Sequence, residues 1–130
     1  MKQSLLMDKY PINTLEILKT ETTYSSVNEI IAYLESKITA HPFATKIAIF
    51  DHFSHTMSIE DHVIDANLKD AKNLVFCFGK QLPKSAMLAV RPRSIGVCEF
   101  ENHFEISFLD VPNEQLHVVT SEWVKSIKNK

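Results

Sequence analysis

The sequence predicts a two-layer α+β domain with two helices on one face of a five-stranded sheet, mixed or antiparallel, in the order β-α-β4-α. Two observations lead to this class. Two segments repeat apolar residues at the spacing of an amphipathic helix, and the chain between them holds short apolar segments typical of strands. The 130 residues match the size of a single domain, which we predict to span residues 1–130.

The first elements are a strand and a helix. Residues 1–12 are predicted to form a loose arm closed by Pro11, and Leu15–Tyr24, rich in Thr and Ile, is predicted to be the first strand. Ser26 followed by Glu29 has the pattern of a capping box, which marks a helix start. The buried stripe of this helix is predicted to be Val27, Ile30, Ile31, Leu34 and Ile38.

The next strand is predicted at Lys46–Phe53, followed by a short helix or irregular segment from Ser58 to about Asn67. Leu74–Phe78 is apolar on both faces, which indicates a central strand covered on both sides. After Pro112 and Asn113 comes the last helix. Its apolar stripe is predicted to be Leu116, Val119, Trp123 and Ile127.

Ser94–Glu101 and His103–Asp110 are predicted to form a hairpin around a three-residue loop, Glu101-Asn102-His103. We prefer this loop because it gathers the apolar side chains of both strands on one buried face. The predicted cross-strand pairs are Phe100 with Phe104, Cys98 with Ile106, and Gly96 with Phe108.

Composition excludes several classes of function. A formal net charge of −2 argues against a general nucleic-acid binder, and no apolar run approaches the roughly 20 residues that span a bilayer. Gly79 and Gly96 are the only glycines, so glycine-rich phosphate loops are excluded. Because Cys77 and Cys98 both lie in apolar strands, we predict reduced thiols in the core and a cytoplasmic location. We find no catalytic motif and expect no cofactor.

Several segments together resemble a known family. They are Tyr24–Val27 with Glu29 and Glu35, a strand ending near Asp51-His52, Leu74–Gly79, and Ser107–Asp110. This pattern, from Leu15 to Ile127, resembles the bacterial domain of unknown function 302 family of small β-α-β4-α proteins. The resemblance implies a fold and no reaction. Lys80 and Gln81 follow Gly79 where the family has Asn-Pro, and Arg91-Pro92-Arg93 replaces its Asp-Leu-Pro, so a ligand there would be bound differently.

The charge distribution indicates a candidate ligand site. Between Ala71 and Cys98 the chain has no acidic residue, while the segments on either side are acidic. The connection between the two strands there carries Lys80, Lys84, Arg91 and Arg93. Since they flank strand ends, these four cations are predicted to converge and bind a small anion such as a phosphate or carboxylate. The alternative is a solvated basic loop.

Two other hypotheses remain open. His52, His55 and His62, supported by Asp51 or Asp61, offer metal-ligand chemistry, so the alternative function is a small metal-dependent enzyme. The second hypothesis comes from the sheet, because two helices cover only one of its faces. We therefore predict that a second copy of the chain covers the other face in a homodimer. The alternatives are a ligand cavity on that face, or a structural interaction module whose protein partner covers it.

Overall fold

The protein has an α+β fold in which every strand pairing is antiparallel. The computed structural model describes all residues from Met1 to Lys130. The strands are β1 (Lys2–Leu6), β2 (Tyr10–Leu18), β3 (Ala44–Phe50), β4 (Asp70–Phe78), β5 (Arg93–Glu99) and β6 (His103–Leu109). The helices are α1 (Val27–Ala40), α2 (His52–Met57) and α3 (Glu114–Lys125), with 3₁₀ helices at Lys19–Glu21 and Ser85–Val90.

The sheet order is β1-β2-β6-β5-β4-β3, six strands rather than the predicted five. The additional strand is β1, which lies in the segment predicted to be a loose arm. All five of its residues are exposed, so no apolar alternation signals the strand. Met7 and Asp8, at φ 55° and 58°, turn the chain back into β2. The next strand also differs from the prediction, because it ends at Leu18 instead of Tyr24.

One face of the sheet carries the hydrophobic core, covered by α1 and α3. From α1, the predicted stripe is buried in full, and Ser26 caps the helix by accepting a hydrogen bond from the Glu29 amide. From α3, Trp123, Val124 and the following Ile127 are buried, while Leu116 and Val119 are partly buried. The sheet contributes the following buried side chains: Leu15, Ile17, Leu74, Phe76, Phe78, Ile95, Val97, Phe104, Ile106 and Phe108. None of the helices combines the length and the apolar composition that a membrane-spanning helix requires.

The β5–β6 hairpin has a different register from the predicted one. The Phe100 amide donates to the His103 carbonyl at 2.9 Å, so the loop contains only Glu101 and Asn102. Gly96 therefore lies opposite Ser107, Val97 opposite Ile106, and Cys98 opposite Glu105. The prediction failed because it assigned Phe100 to the core, whereas its ring stacks on that of His103 at 4.7 Å and an interplanar angle of 4°.

The segment after β3 also corrects the sequence prediction. The strand stops at Phe50, and Asp51 caps α2 by accepting the Ser54 amide at 3.0 Å. A short helix therefore forms at His52–Met57, before the predicted Ser58–Asn67 segment, and Asp61 adopts φ 60°. On the sheet face away from α1 and α3, which we call the outer face, Val75 and Cys77 are half-buried and Phe50 is 41 % exposed.

Candidate functional site

A cleft opens where β4 ends and β5 begins, beneath the N-terminus of α3. It consists of two adjoining hollows of about 250 and 310 Å³. Both hollows are lined by Phe78, Met87, Arg91, Asn113 and Leu116. The first also reaches Val90, Arg93, Val111 and Pro112, and the second Phe43, Lys80, Gln81 and Gln115. The first hollow is therefore mainly apolar, as small-molecule sites usually are, while the second is lined about equally by polar and apolar groups.

Arg93 is one of the predicted anion ligands, and its guanidinium is engaged by the backbone. Its Nη2 donates to the carbonyls of Leu109 at 2.6 Å and Asp110 at 2.8 Å, and its Nη1 lies 3.4 Å from the Val90 carbonyl. Burial lowers the pKa of Arg93 while the Asp110 carboxylate opposes the shift, and a guanidinium remains protonated at neutral pH. Arg93 thus ties the end of the 3₁₀ helix to the end of β6 and shapes the floor of the cleft.

Arg91 and Lys80 are freer to meet a ligand. Arg91 donates through Nη1 to the carbonyl of Gln81 at 2.6 Å, a contact at the protein surface. The ammonium of Lys80 lies 5.3 Å from the centre of the Phe43 ring. Neither side chain forms an ion pair with a carboxylate. Their charge is consequently available to an anion that enters the cleft.

Of the four predicted anion ligands, Lys84 alone lies outside the cleft. It precedes the 3₁₀ helix Ser85–Val90, is exposed, and does not line either hollow of the cleft. The structure therefore brings together Lys80, Arg91 and Arg93, with Arg93 in a structural contact. The sequence could indicate the basic connection, but only the path of the 3₁₀ helix decides which cation turns inward.

The N-terminus of α3 adds positive potential to the cleft. Asn113 caps the helix by accepting the Leu116 amide at 3.1 Å, and both residues line the cleft. The first turn of a helix carries partial positive charge, which favours an anion nearby. The sequence places this turn about 20 positions beyond Arg91, so the two could be associated only through the fold.

Aromatic rings make one wall of the cleft rigid. The rings of Phe78 and Trp123 stack at 5.6 Å, and His41 packs edge-on against Phe43 at 4.5 Å and against Phe78 at 5.3 Å. Aromatic pairs at these distances resist displacement because each ring is held by several neighbours. The cleft is therefore supported by the core rather than formed by loops alone.

The three histidines of the alternative metal site do not assemble. His52 and His55 lie one turn apart on α2 with ring centres 6.4 Å apart, and His52 Nδ1 is 2.9 Å from the Thr56 hydroxyl. His62 instead directs Nδ1 to the Ile59 carbonyl at 2.9 Å. The two supporting carboxylates are separated as well, since Asp51 caps α2 and Asp61 lies in the following turn.

A different group of metal-ligating side chains does converge, and it was not predicted from the sequence. Glu16 on β2 and His103 and Glu105 on β6 have potential ligand atoms that all lie within 4.8 Å of one another, on the outer face. His103 and Glu105 are two positions apart and so share a face of their strand, which is a signal visible in the sequence. Glu16 joins them through a pairing between distant segments, which the sequence does not reveal.

Both cysteines are free and half-buried, on the outer face rather than in the core as predicted. Burial, together with the Glu105 and Asp70 carboxylates, raises the pKa of the Cys98 thiol. A thiol with a raised pKa is mostly protonated at neutral pH and is a poor nucleophile.

The fold defines a class of small α+β proteins of unknown activity. A crystal structure of an uncharacterised conserved DUF302 protein from Bacillus stearothermophilus superimposes with a TM-score of 0.57 at 12% identity. The match covers 89% of this chain and 91% of that one. The likeness predicted to the domain of unknown function 302 family is confirmed at the level of the fold.

The particular family follows from the sequence match. Residues 1–129 match the model of DUF6858, a family of unknown function, and the chain belongs to that family. Among curated proteins, no sequence matches.

Proposed function

We propose that this protein is a binding or sensing domain for a small anionic ligand with an apolar body, held in the cleft under α3. The observation that carries the proposal is that half-buried Arg91 and exposed Lys80, neither paired with a carboxylate, line a cleft whose first hollow is mainly apolar. Arg93 and Lys84, which the sequence also suggested, are assigned no direct contact with the ligand.

The apolar and basic groups that line different parts of the cleft suggest the chemistry of the ligand. Phe78, Met87 and Leu116 form an apolar lining, which favours a hydrocarbon or aromatic portion. A carboxylate or phosphate would lie between Arg91 and the first turn of α3, where charge-assisted hydrogen bonds are strongest. The volume of about 250 Å³ in the first hollow lies just below the usual range of ligand pockets, which favours a compact molecule.

Calorimetric titration with hexanoate, hexanol, phosphate, sulfate and AMP tests the proposal. We expect hexanoate to bind more tightly than either hexanol or phosphate, because only hexanoate uses both parts of the cleft. Arg91→Met should weaken hexanoate binding about tenfold, from the loss of one charge-assisted hydrogen bond, and leave hexanol binding unchanged. Val90→Trp should block both, since Val90 lines the first hollow and is 46% exposed.

Lys84→Met is the matched control, because it removes one positive charge from the same connection but outside the cleft. If Arg91→Met and Lys84→Met weaken binding equally, the effect is general electrostatics and the site is wrong. If none of the five probes binds the wild-type protein, the proposed function itself fails.

We also propose a homodimer in which a second copy covers the outer face beside β3. Its support is the apolar surface that the outer face presents beside this edge strand, where Phe50 is 41% exposed and Val75 and Cys77 are half-buried. Exposed edge strands are ordinarily covered or protected by charge. Light scattering after size exclusion should give twice the 14.9 kDa chain mass at micromolar concentration, and the chain mass alone would refute the dimer.

A location in the bacterial cytoplasm is the remaining part of the proposal. Its support is the pair of free cysteines, as expected in a reducing compartment, and the bacterial source of the structural relative. Fractionation of the native host with an antibody against the protein tests it, and recovery from a membrane or secreted fraction would contradict it.

A further inference from the structure

The outer face of the sheet carries a second candidate site, which consists of metal-ligating side chains and is separate from the cleft. Glu16 on β2 lies directly opposite Glu105 on β6. His103 precedes Glu105 by two residues on the same strand and shares its face. The potential ligand atoms of these three side chains all lie within 4.8 Å of one another. A single ion placed among them could therefore contact all three.

The electrostatics of this group favour a cation. Like charges directly opposite each other on adjacent strands destabilise a sheet. Glu16 forms no ion pair, and Glu105 has only His103, at 3.4 Å between Nε2 and Oε1. No lysine or arginine forms an ion pair with either carboxylate. A divalent cation would remove the repulsion.

His103 is oriented for such a role. Its ring stacks on Phe100 with centres 4.7 Å apart and an interplanar angle of 4°, which fixes the plane of the imidazole. In this plane Nε2 points toward the Glu105 carboxylate. Fixing the ring of a histidine ligand reduces the entropy lost when a metal binds.

We propose that Glu16, His103 and Glu105 bind a divalent transition metal of the zinc type. Imidazole nitrogen with carboxylate oxygens is a ligand set that zinc accepts, whereas calcium and magnesium favour oxygen ligands only. Three protein ligands leave at least one position to water, and Glu16 is exposed while His103 and Glu105 are half-buried, so that position faces solvent.

Zinc titration of the chelator-treated full-length protein by calorimetry tests the site. We expect one zinc per chain. Glu16→Gln, His103→Gln and Glu105→Gln should each weaken binding at least about tenfold, the smallest cost recorded for losing even a residue that only orients a ligand. The control is the triple variant His52→Gln/His55→Gln/His62→Gln, which removes the other histidine group and should bind as the wild type does.

A second measurement needs no variant and covers the case of a poorly folding mutant. In nuclear magnetic resonance spectra of wild-type protein with labelled histidines, substoichiometric Cu²⁺ should broaden the His103 ring signals first. Zinc that fails to bind the wild type overturns the proposal. So does binding lost only in the triple histidine variant, or broadening that starts at another histidine.

Discussion

Arg93 shows that charge alone does not reveal which groups a basic side chain contacts. A basic residue in an acid-free segment suggests an anion site, yet this guanidinium donates to the carbonyls of Leu109 and Asp110. Arg93 lies at the start of β5, opposite Phe76, and therefore on the core face of the sheet. The hydrogen-bond partners are backbone groups, which carry no signature in a sequence. The role of Arg93 is therefore predictable only once the strand register is known.

Arg93→Met should lower the free energy of unfolding by about 1–2 kcal/mol, because charge-assisted bonds to the carbonyls of two segments are lost. Arg91→Met should cost less than about 0.5 kcal/mol, since its one hydrogen bond is to an exposed carbonyl. Urea unfolding of both variants measures the difference. Equal losses would contradict the structural role of Arg93.

The reactivity of the Cys98 thiol tests whether this side chain is half-buried on the outer face as the structure places it. Because burial raises its pKa, its alkylation by iodoacetamide should be slower than that of free cysteine at pH 8 and should still increase above pH 9. The Cys77→Ser variant isolates Cys98 for mass spectrometry. A rate that levels off below pH 8.5 would contradict the assignment.

At the scale of elements, amphipathic helices were predicted well and strand registers poorly. The five predicted core positions of α1 are all buried, because a helix repeats its pattern over several turns and its Ser26 cap is local. The β5–β6 register failed because apolar Phe100 competes for the core pattern, although it lies on the outer face beside His103. The strand β1 was not predicted, because an exposed edge strand needs no alternation of apolar and polar residues.

The corrected register makes Gly96 a test position. An added methyl group there would lie 3.6 Å from the Ser107 hydroxyl and 3.8 Å from the Asn73 amide, which are ordinary contacts. Gly96→Ala should therefore raise the free energy of unfolding by about 0.4–1 kcal/mol, because it restricts the unfolded chain. Had Gly96 faced Phe108 in the core, the same change would destabilise the protein. Urea unfolding distinguishes the two registers.

At the scale of the whole molecule, the site could be predicted only in part. The basic connection that supplies Arg91 was visible in the sequence, because it contrasts with acidic segments on both sides. The apolar lining and the α3 N-terminus were not, since they come from segments that meet only in three dimensions. The same limitation hid Glu16, which lies almost 90 positions from Glu105.

Several carboxylates at the protein surface make the folded state sensitive to acid. Hydrogen bonds from Lys128 to Glu21 and from Ser25 to Glu29 lower the pKa of each glutamate. Hydrogen bonds from Ser54 to Asp51 and from Lys69 to Glu101 lower the pKa of these two carboxyl groups in the same way. A carboxylate with a lowered folded pKa contributes stability that is present above its unfolded pKa. This contribution is lost as the pH falls through the folded value. The urea midpoint should therefore decrease as the pH falls below about 5.

Glu29→Gln provides the matched comparison, because it removes one of these groups without touching the core. Its urea midpoint should fall less than that of the wild type between pH 6 and pH 3. A parallel decline in both proteins would show that Glu29 does not contribute to acid sensitivity.

The seam between β2 and β6 has a consequence for the order of folding. Along it Asn13 reaches Asp110 at 2.7 Å across 97 positions of the chain, whereas β1–β2 and β5–β6 are hairpins. Closing so long a loop costs entropy before its contacts can compensate. A folding φ-value is the share of a mutation's effect on stability that is already present in the transition state. We expect a value near 0 for Leu15→Ala and a value well above 0 for Val97→Ala, because the N-terminal hairpin docks after the transition state. The reverse ranking in stopped-flow refolding would contradict this order.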